Sequence, residues 1–360
     1  MPDHSALLDL GYSAHWQALF APYAAQGLTP ARVVRSARGS AIVATAAGVL
    51  RAKPAAGLMK SSGGAARLPA VGDWVAVRIA EDLEVPLVEA VLERASAIVR
   101  GDPGETGVQV LAANIDIVFV VHPIADEPNV RRIERELSLA WESDAVPVVV
   151  LTKADLSPAP EAALAAVAAV ALDTDIHVTS ALTGAGIETL LSYVAGHRTA
   201  VLIGPSGAGK STLINALLGE ERQATRAVRV NDGRGRHTTI ARELVQMVNG
   251  GLIVDTPGLR ALGLTGSEEG IEAAFPDIVA AAERCRFRDC AHDGEPGCAV
   301  RAAVASGDLS AERLESYLKL VGEARVAAAK SDPRLRAAER RRWKTIDKAA
   351  DELYRRTGWD

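Results

Sequence analysis

Between residues 204 and 211 the chain reads Gly204-Pro205-Ser206-Gly207-Ala208-Gly209-Lys210-Ser211, the spacing G-x-x-x-x-G-K-[ST]. Gly204 and Gly209 let the backbone approach a polyphosphate with its N–H groups turned inward, where a side chain would obstruct. Lys210 then reaches the β and γ phosphates and Ser211 offers its hydroxyl to Mg²⁺. The helix starting there, with Thr212 in its first turn, adds the positive end of its dipole. The apolar run Thr199 to Ile203 supplies the strand that such a loop needs in front of it.

Three further segments fit the same site. Leu252-Ile253-Val254-Asp255-Thr256-Pro257-Gly258 is an apolar strand ending in an acid. Asp255 suits a carboxylate that helps hold Mg²⁺, and Gly258 can turn its backbone N–H to the γ phosphate; a helix cap is the other reading of Asp255. Within Thr152-Lys153-Ala154-Asp155, the carboxylate of Asp155 can accept from N1–H and the 2-amino group of guanine, which adenine lacks. A site built on such bonds rejects an analogue without them by ~10⁴-fold in the best cases, so GTP is expected over ATP. Thr152 stands where this motif usually has Asn, which puts the bonds of that Asn in question. Ser180-Ala181-Leu182 would give a backbone N–H to the guanine oxygen. Both base-reading segments precede the phosphate loop, although ordinary GTPases place them after it. The site therefore reads as circularly permuted, which joined surface termini make physically cheap.

Arg222 to Thr239, ending Arg234-Gly235-Arg236-His237-Thr238-Thr239, reads as a switch in which Thr239, or next Thr238, closes on Mg²⁺ and the γ phosphate. Leu259 follows Gly258 where many GTPases carry a water-orienting Gln. His237 is the candidate to take that task; a solvent-exposed loop histidine is the alternative.

All three cysteines lie between residues 285 and 298, in Cys285-x4-Cys290-x-His292-x5-Cys298. Three thiolates and an imidazole make a closed tetrahedral set for a structural Zn²⁺, rather than a disulfide framework. Further on, Arg334, Arg336, Arg340, Arg341, Arg342, Lys344 and Lys348 surround Trp343. They could track phosphates while the indole stacks on a base. With Glu339, Asp347, Asp351 and Glu352 interspersed, a solvated amphipathic helix is the equal alternative.

These residues must be positioned by ordered elements. At 360 residues and 48% hydrophobic the chain can bury two or three cores. A net charge of −5 advertises no global nucleic-acid field, so any RNA surface is local. Met1 to Ser13 lacks a basic leader, and no apolar run reaches the roughly 20 residues of a membrane span, so a cytoplasmic protein is expected. From Arg32 to Arg100, short runs (Ala41 to Thr45, Gly48 to Arg51, Trp74 to Arg78, Pro86 to Ala90) suggest a five-stranded oligonucleotide-binding (OB-type) β-barrel, with Lys53 to Arg67 as a long loop. Residues 114 to 265 alternate strands with helices such as Val130 to Trp141 and Ala159 to Ala171, a doubly wound parallel sheet. Beyond Gly266 helices dominate. The expected division is an N-terminal extension at 1–30, the barrel at 31–103, the permuted P-loop domain at 104–265 and a helical zinc-binding domain at 266–360.

With these motifs in this order, and with Val71 to Val75, Gly235 to Thr239 and Glu295 to Val300, the chain resembles the ribosome small subunit-dependent GTPase family (RsgA). The resemblance implies an RNA-binding OB barrel, a permuted GTPase domain and a zinc-binding helical domain acting in late maturation of the small ribosomal subunit. It implies slow GTP hydrolysis to GDP that the subunit and its rRNA accelerate, by a monomer, with Leu259 and His237 matching the family's hydrophobic residue and switch histidine. Because Asp255 runs into the metal domain through Gly258 to Gly266, nucleotide state would reorient that domain relative to the barrel. Two rival readings are a nucleotide-gated RNA-binding scaffold with negligible hydrolysis and a P-loop ATP-dependent enzyme such as a small-molecule kinase.

Overall fold

The structure, a computed structural model, describes residues 5–37, 39–61, 68–81, 83–101, 108–124, 128–157, 160–219, 242–255 and 267–331. Helices α1 (Ser5–Leu8) and α2 (Ala14–Ala24) come first. Strands β1 (Thr29–Ala37), β2 (Ser40–Thr45), β3 (Gly48–Pro54), β4 (Trp74–Arg78) and β5 (Leu87–Val91) follow. β4 pairs back onto β1 from Thr29↔Val77 to Arg32↔Trp74, so the five strands close. Alternate residues Ala31, Val33, Val43, Val75, Val77 and Val88 fill the interior, as a small barrel requires. Leu7, Trp16 and Phe20 of the leading helices pack against Trp74 and Leu92, covering one side of the barrel. β1 begins at Thr29, ahead of the β-like text that opens at Arg32, because Arg32 and Arg35 interrupt its apolar alternation. Part of the expected loop after Lys53 is helix α3 (Ala56–Ser61).

A hairpin of β6 (Ala97–Gly101) and β7 (Val108–Ala113) leads into the central domain. There β8 (Ile117–Pro123), helix α4 (Val130–Glu142), β9 (Val146–Thr152), α5 (Pro160–Ala168), β10 (Asp175–Val178), α6 (Ile187–Tyr193), β11 (Thr199–Ile203), α7 (Lys210–Leu218), β12 (Glu243–Gln246) and β13 (Leu252–Asp255) follow in order. The sheet runs β10-β9-β8-β11-β13-β12, parallel except for β12. Side chains alternate between its faces. Val118, Val120, Val201 and Ile203 meet Ile133 and Leu137 of α4 and Val167 of α5. Phe119, Val121, Ala200 and Leu202 meet Leu190 of α6 and Leu213 and Leu217 of α7. Helices on both faces make the sheet doubly wound.

β12 also pairs with β1 of the barrel at Arg35↔Glu243, so barrel and central domain share one 11-stranded sheet. Beside that joint the buried guanidinium of Arg32 donates to the carbonyls of Gly72 (3.2 Å), Asn114 (3.3 Å) and Leu10 and to Oγ1 of Thr199 (2.8 Å). Burial lowers its pKa to about 10, with Asp116 and Asp73 holding it up from farther away.

The last helices are α8 (Glu268–Ala274), α9 (Pro276–Ala282), α10 (Ala299–Ser306) and α11 (Ala311–Ser331). They share a core with α4: Ile271, Phe275, Val300, Leu314 and Leu320 join the cluster that holds Ile133 and Leu137. A Cβ on Gly270 would lie 2.6 Å from the carbonyl of Ser138, so glycine is what lets α8 and α4 touch. At the seam the buried Arg313 bonds Glu134 (2.8 Å) and Asp277 (2.6 and 2.8 Å) and lies 4.6 Å above the ring of Phe275. Among the described residues no helix is long and apolar enough to cross a membrane.

Candidate functional site

The carboxyl ends of β9, β10, β11 and β13 gather the expected residues at one edge of the sheet, next to where strand order reverses between β8 and β11. β11 ends in the phosphate loop. At Gly204 (φ +137) a Cβ would sit 2.1 Å from the carbonyl of Val121 on β8, so only glycine lets the loop leave the strand there. Gly209 (φ +87) caps α7, turning the first N–H groups of that helix towards the loop's concavity. Lys210 Nζ donates to the carbonyls of Gly204 (2.7 Å) and Pro205 (2.6 Å), spanning the space that phosphates would fill. Ser206 and Gly207 are exposed at the loop's tip, Pro205 is half-buried beside it, Ala208 is buried below it, and Ser211 and Thr212 are exposed at the head of α7.

Thr152, at the end of β9, is buried. Its hydroxyl donates to the carbonyl of Ala208 at 2.5 Å and lies 3.3 Å from that of His122. The residue that departs from the usual Asn thus tethers the phosphate loop with a hydroxyl, a role sequence reasoning left open. Lys153 takes a left-handed backbone (φ 61) that turns the chain into the short 3-10 segment Ala154–Leu156 and brings Asp155 to the surface.

β10 lies parallel to β9 with Val178↔Leu151, so Ser180 follows its strand at the same level as Asp155. Ser180 Oγ donates to Oδ1 of Asp155, and Thr183 N–H donates to that hydroxyl at 3.3 Å. The backbone N–H of Ser180 is taken by Ala185 O at 3.0 Å. Ala181 is half-buried and Leu182 is 81% exposed beside it. The sequence named Ser180 for its backbone; its side chain, which fixes the Asp155 carboxylate, went unnoticed.

Asp255 closes β13 next to β11, half-buried and in register with Glu243 of β12. His237, Thr238, Thr239, Gly258 and Leu259, like the basic segment around Trp343, lie outside the described residues.

In the helical region Cys285, Cys290, His292 and Cys298 bring their ligand atoms within 4.8 Å of one another. Nδ1 of His292 lies 3.7 Å from Sγ of Cys285 and 3.5 Å from Sγ of Cys298. Bonds of about 2.3 Å to sulfur and about 2.0 Å to nitrogen in a tetrahedron set such atoms about 3.6 Å apart, so the four residues fit a small four-coordinate metal ion. Burial holds the His292 imidazole below its usual pKa, favouring the neutral form that ligation needs. The Glu295 carboxylate accepts N–H bonds from Ala291 and Asp293, each at 2.8 Å, and stiffens the turn.

Comparison with known proteins agrees with this geometry. Residues 91–265 match the family model described as RsgA GTPase. A Streptomyces coelicolor protein named small ribosomal subunit biogenesis GTPase RsgA is 47% identical over 360 residues, covering 98% of this chain and 97% of that one. The crystal structure of YjeQ from Thermotoga maritima superposes with a TM-score of 0.62 at 27% identity, over 82% of this chain and 98% of that one. A second solved structure, YloQ, described as a circularly permuted GTPase, shares the fold with a TM-score of 0.60 over 82% of this chain and 95% of that one.

Proposed function

This chain belongs to the RsgA GTPase family, and from that premise we propose that it is a cytoplasmic, monomeric GTPase of small ribosomal subunit biogenesis, stimulated by the subunit and released from it after hydrolysis. The observation that carries the reading is the meeting of phosphate loop, base-reading Asp155 and strand-end Asp255 at one edge of the sheet, supplied in permuted order by β11, β9 and β13.

Asp155, held by the Ser180 hydroxyl, would accept from guanine, and the Ser180-Ala181-Leu182 segment would supply a backbone N–H to the guanine oxygen. The loop amides from Gly204 to Gly209 and Lys210 neutralise the phosphates as charge develops on them. Ser211, Thr239 and Asp255 would hold Mg²⁺, which would supply neutralisation of the charge that develops during phosphoryl transfer. Gly258 and His237 are assigned to the γ phosphate and to the attacking water. Cys285, Cys290, His292 and Cys298 would hold one structural Zn²⁺, with no open position for chemistry. The barrel and the metal domain are assigned to rRNA.

GTP turnover titrated separately with small and large subunits tests the reading. Stimulation by the small subunit alone is the expected result. Equal stimulation by both would remove subunit specificity, and turnover too slow to measure in either case would favour the gated scaffold. Preference for ATP in competition would restore the P-loop enzyme reading.

A further inference from the structure

The barrel does not merely sit beside the nucleotide domain, because its strand β1 is hydrogen-bonded into the same sheet. The register there is specific. Glu243 on β12 is the direct partner of Arg35 on β1 and also of Asp255 on β13. Directly opposed residues of antiparallel strands project from the same face, with Cα atoms about 5 Å apart. Arg35, Glu243 and Asp255 therefore form one transverse row, from the barrel to the carboxylate at the edge of the phosphate site.

Two acids directly opposite each other repel. In this row the Arg35 guanidinium closes on Glu243 at 2.5 Å and offsets the charge that Glu243 would otherwise present to Asp255. β1 touches the central sheet a second time through Arg32, whose 2.8 Å bond to Thr199 Oγ1 reaches the start of β11. Thr199 and Asp255 belong to the two neighbouring strands that carry the phosphate loop and the acid. A shift of β1 thus acts on both strands together, and a shift that parts Arg35 from Glu243 also changes the field at Asp255.

We infer that Arg35 and Glu243 form a positioning pair, through which the barrel's engagement with the subunit sets the placement and charge environment of Asp255 and so the rate of GTP hydrolysis. Neither residue touches nucleotide; each acts through Asp255. The inference rests on the GTPase reading above and adds a route for its stimulation.

Arg35→Glu, Glu243→Arg and the double exchange test it in the full-length chain. Three quantities are read: intrinsic turnover, turnover with saturating small subunits, and amide hydrogen exchange of residues 243–246 and 252–255 in the nucleotide-free protein. Arg35→Glu, which sets a further acid in the row, is expected to lower intrinsic turnover, to lose about fivefold of the stimulated rate and to speed exchange in both strands. Glu243→Arg should lose stimulation similarly, and the double exchange, which restores an opposite-charge pair but sets a cation opposite Asp255, should recover the slow exchange without the full stimulated rate. Full stimulation in Arg35→Glu would overturn the inference. So would a double exchange in which hydrogen exchange stays fast, which would mean that the Arg35–Glu243 bridge does not hold the joint. If wild-type turnover does not respond to subunits, the functional reading falls as well; if it responds and the variants respond equally, only this inference falls.

Discussion

Removing the hydroxyl of Thr152 isolates a single bond between the end of β9 and the phosphate loop. Thr152→Val keeps the side chain's shape but deletes the donor to Ala208 O at 2.5 Å and, more weakly, to His122 O at 3.3 Å. One hydroxyl hydrogen serves both, so the shorter bond carries most of the interaction. Ala208 is 1% exposed, and its carbonyl would lose this donor without gaining water. A buried acceptor left unpaired costs about 1–3 kcal/mol, more than the net value of an ordinary hydrogen bond. We therefore expect unfolding free energy to fall by about 2 kcal/mol. The nucleotide-free loop would also lose a restraint that preorganises it. If the whole of that restraint must be restored when GTP binds, affinity weakens by up to about thirtyfold, since each 1.4 kcal/mol is tenfold. Denaturant unfolding gives the first quantity and calorimetric titration with a non-hydrolysable GTP analogue gives the second, with Thr152→Ser as the control that keeps the donor. Val and Ser variants indistinguishable in both measurements would show that the tether contributes nothing and would refute the reasoning.

Asp155→Asn is expected to lower guanine-nucleotide affinity and raise the relative preference for xanthine nucleotides, because an amide cannot accept from both N1–H and the amino group; unchanged GTP affinity by calorimetry would remove Asp155 from base recognition. Cys290→Ser should cost one tightly held zinc per chain and unfold residues 283–298 locally, since the knuckle's geometry depends on its four ligands; elemental analysis finding no zinc in the wild-type protein would refute this. His237→Ala should keep GTP binding and GTP-dependent subunit association but lose most of the stimulated turnover. Weakened association alongside the lost rate would instead make His237 an ordering residue of the switch, and a wild-type stimulated rate would exclude both roles.

The motifs with fixed spacing were legible because their chemistry tolerates few residue types. The phosphate loop needs glycine at 204, where Val121 O leaves no room for a Cβ, and a four-coordinate cluster needs its three thiols and imidazole within a short turn. Strands β8, β9, β11 and β13 were legible too, being buried on both faces and therefore continuously apolar. β1 was less so: Arg32 and Arg35 face carbonyls, a hydroxyl and a carboxylate on other elements, and such long-range partners leave no periodic trace. β12, four residues long and half-polar between β13 and β1, carries no apolar run that spacing could detect. Thr152 and Ser180 were read into one cluster with the loop and do lie together, but the tether and the bond to Asp155 depend on contacts across 56 and 25 residues that spacing cannot reveal.

The same contacts decide which parts of the molecule can move against each other. The permuted order places the metal domain directly after Asp255, which invites the picture of a domain swung by the switch. Its helices, however, share one core with α4, and Arg313 closes that seam by bonding Glu134 on one side and Asp277 on the other. Breaking such a buried pair leaves a carboxylate uncompensated, at about 3–5 kcal/mol. The barrel is held through one register pair with β12, the exposed Arg35–Glu243 bridge, the bonds of Arg32, the bonds of Ala113 N–H to Val71 O (2.9 Å) and of Asn114 Nδ2 to Gly72 O (3.1 Å), and Val71, which joins the same core. An exposed bridge contributes about 0.2–1 kcal/mol, and the bonds of Arg32 to Thr199 and Asn114 are the stronger part of that attachment. Reorientation of the metal domain relative to the barrel is therefore expected to carry the nucleotide domain with it. A subunit bound by both ends would then load that joint, which adjoins the strands carrying the phosphate loop and Asp255.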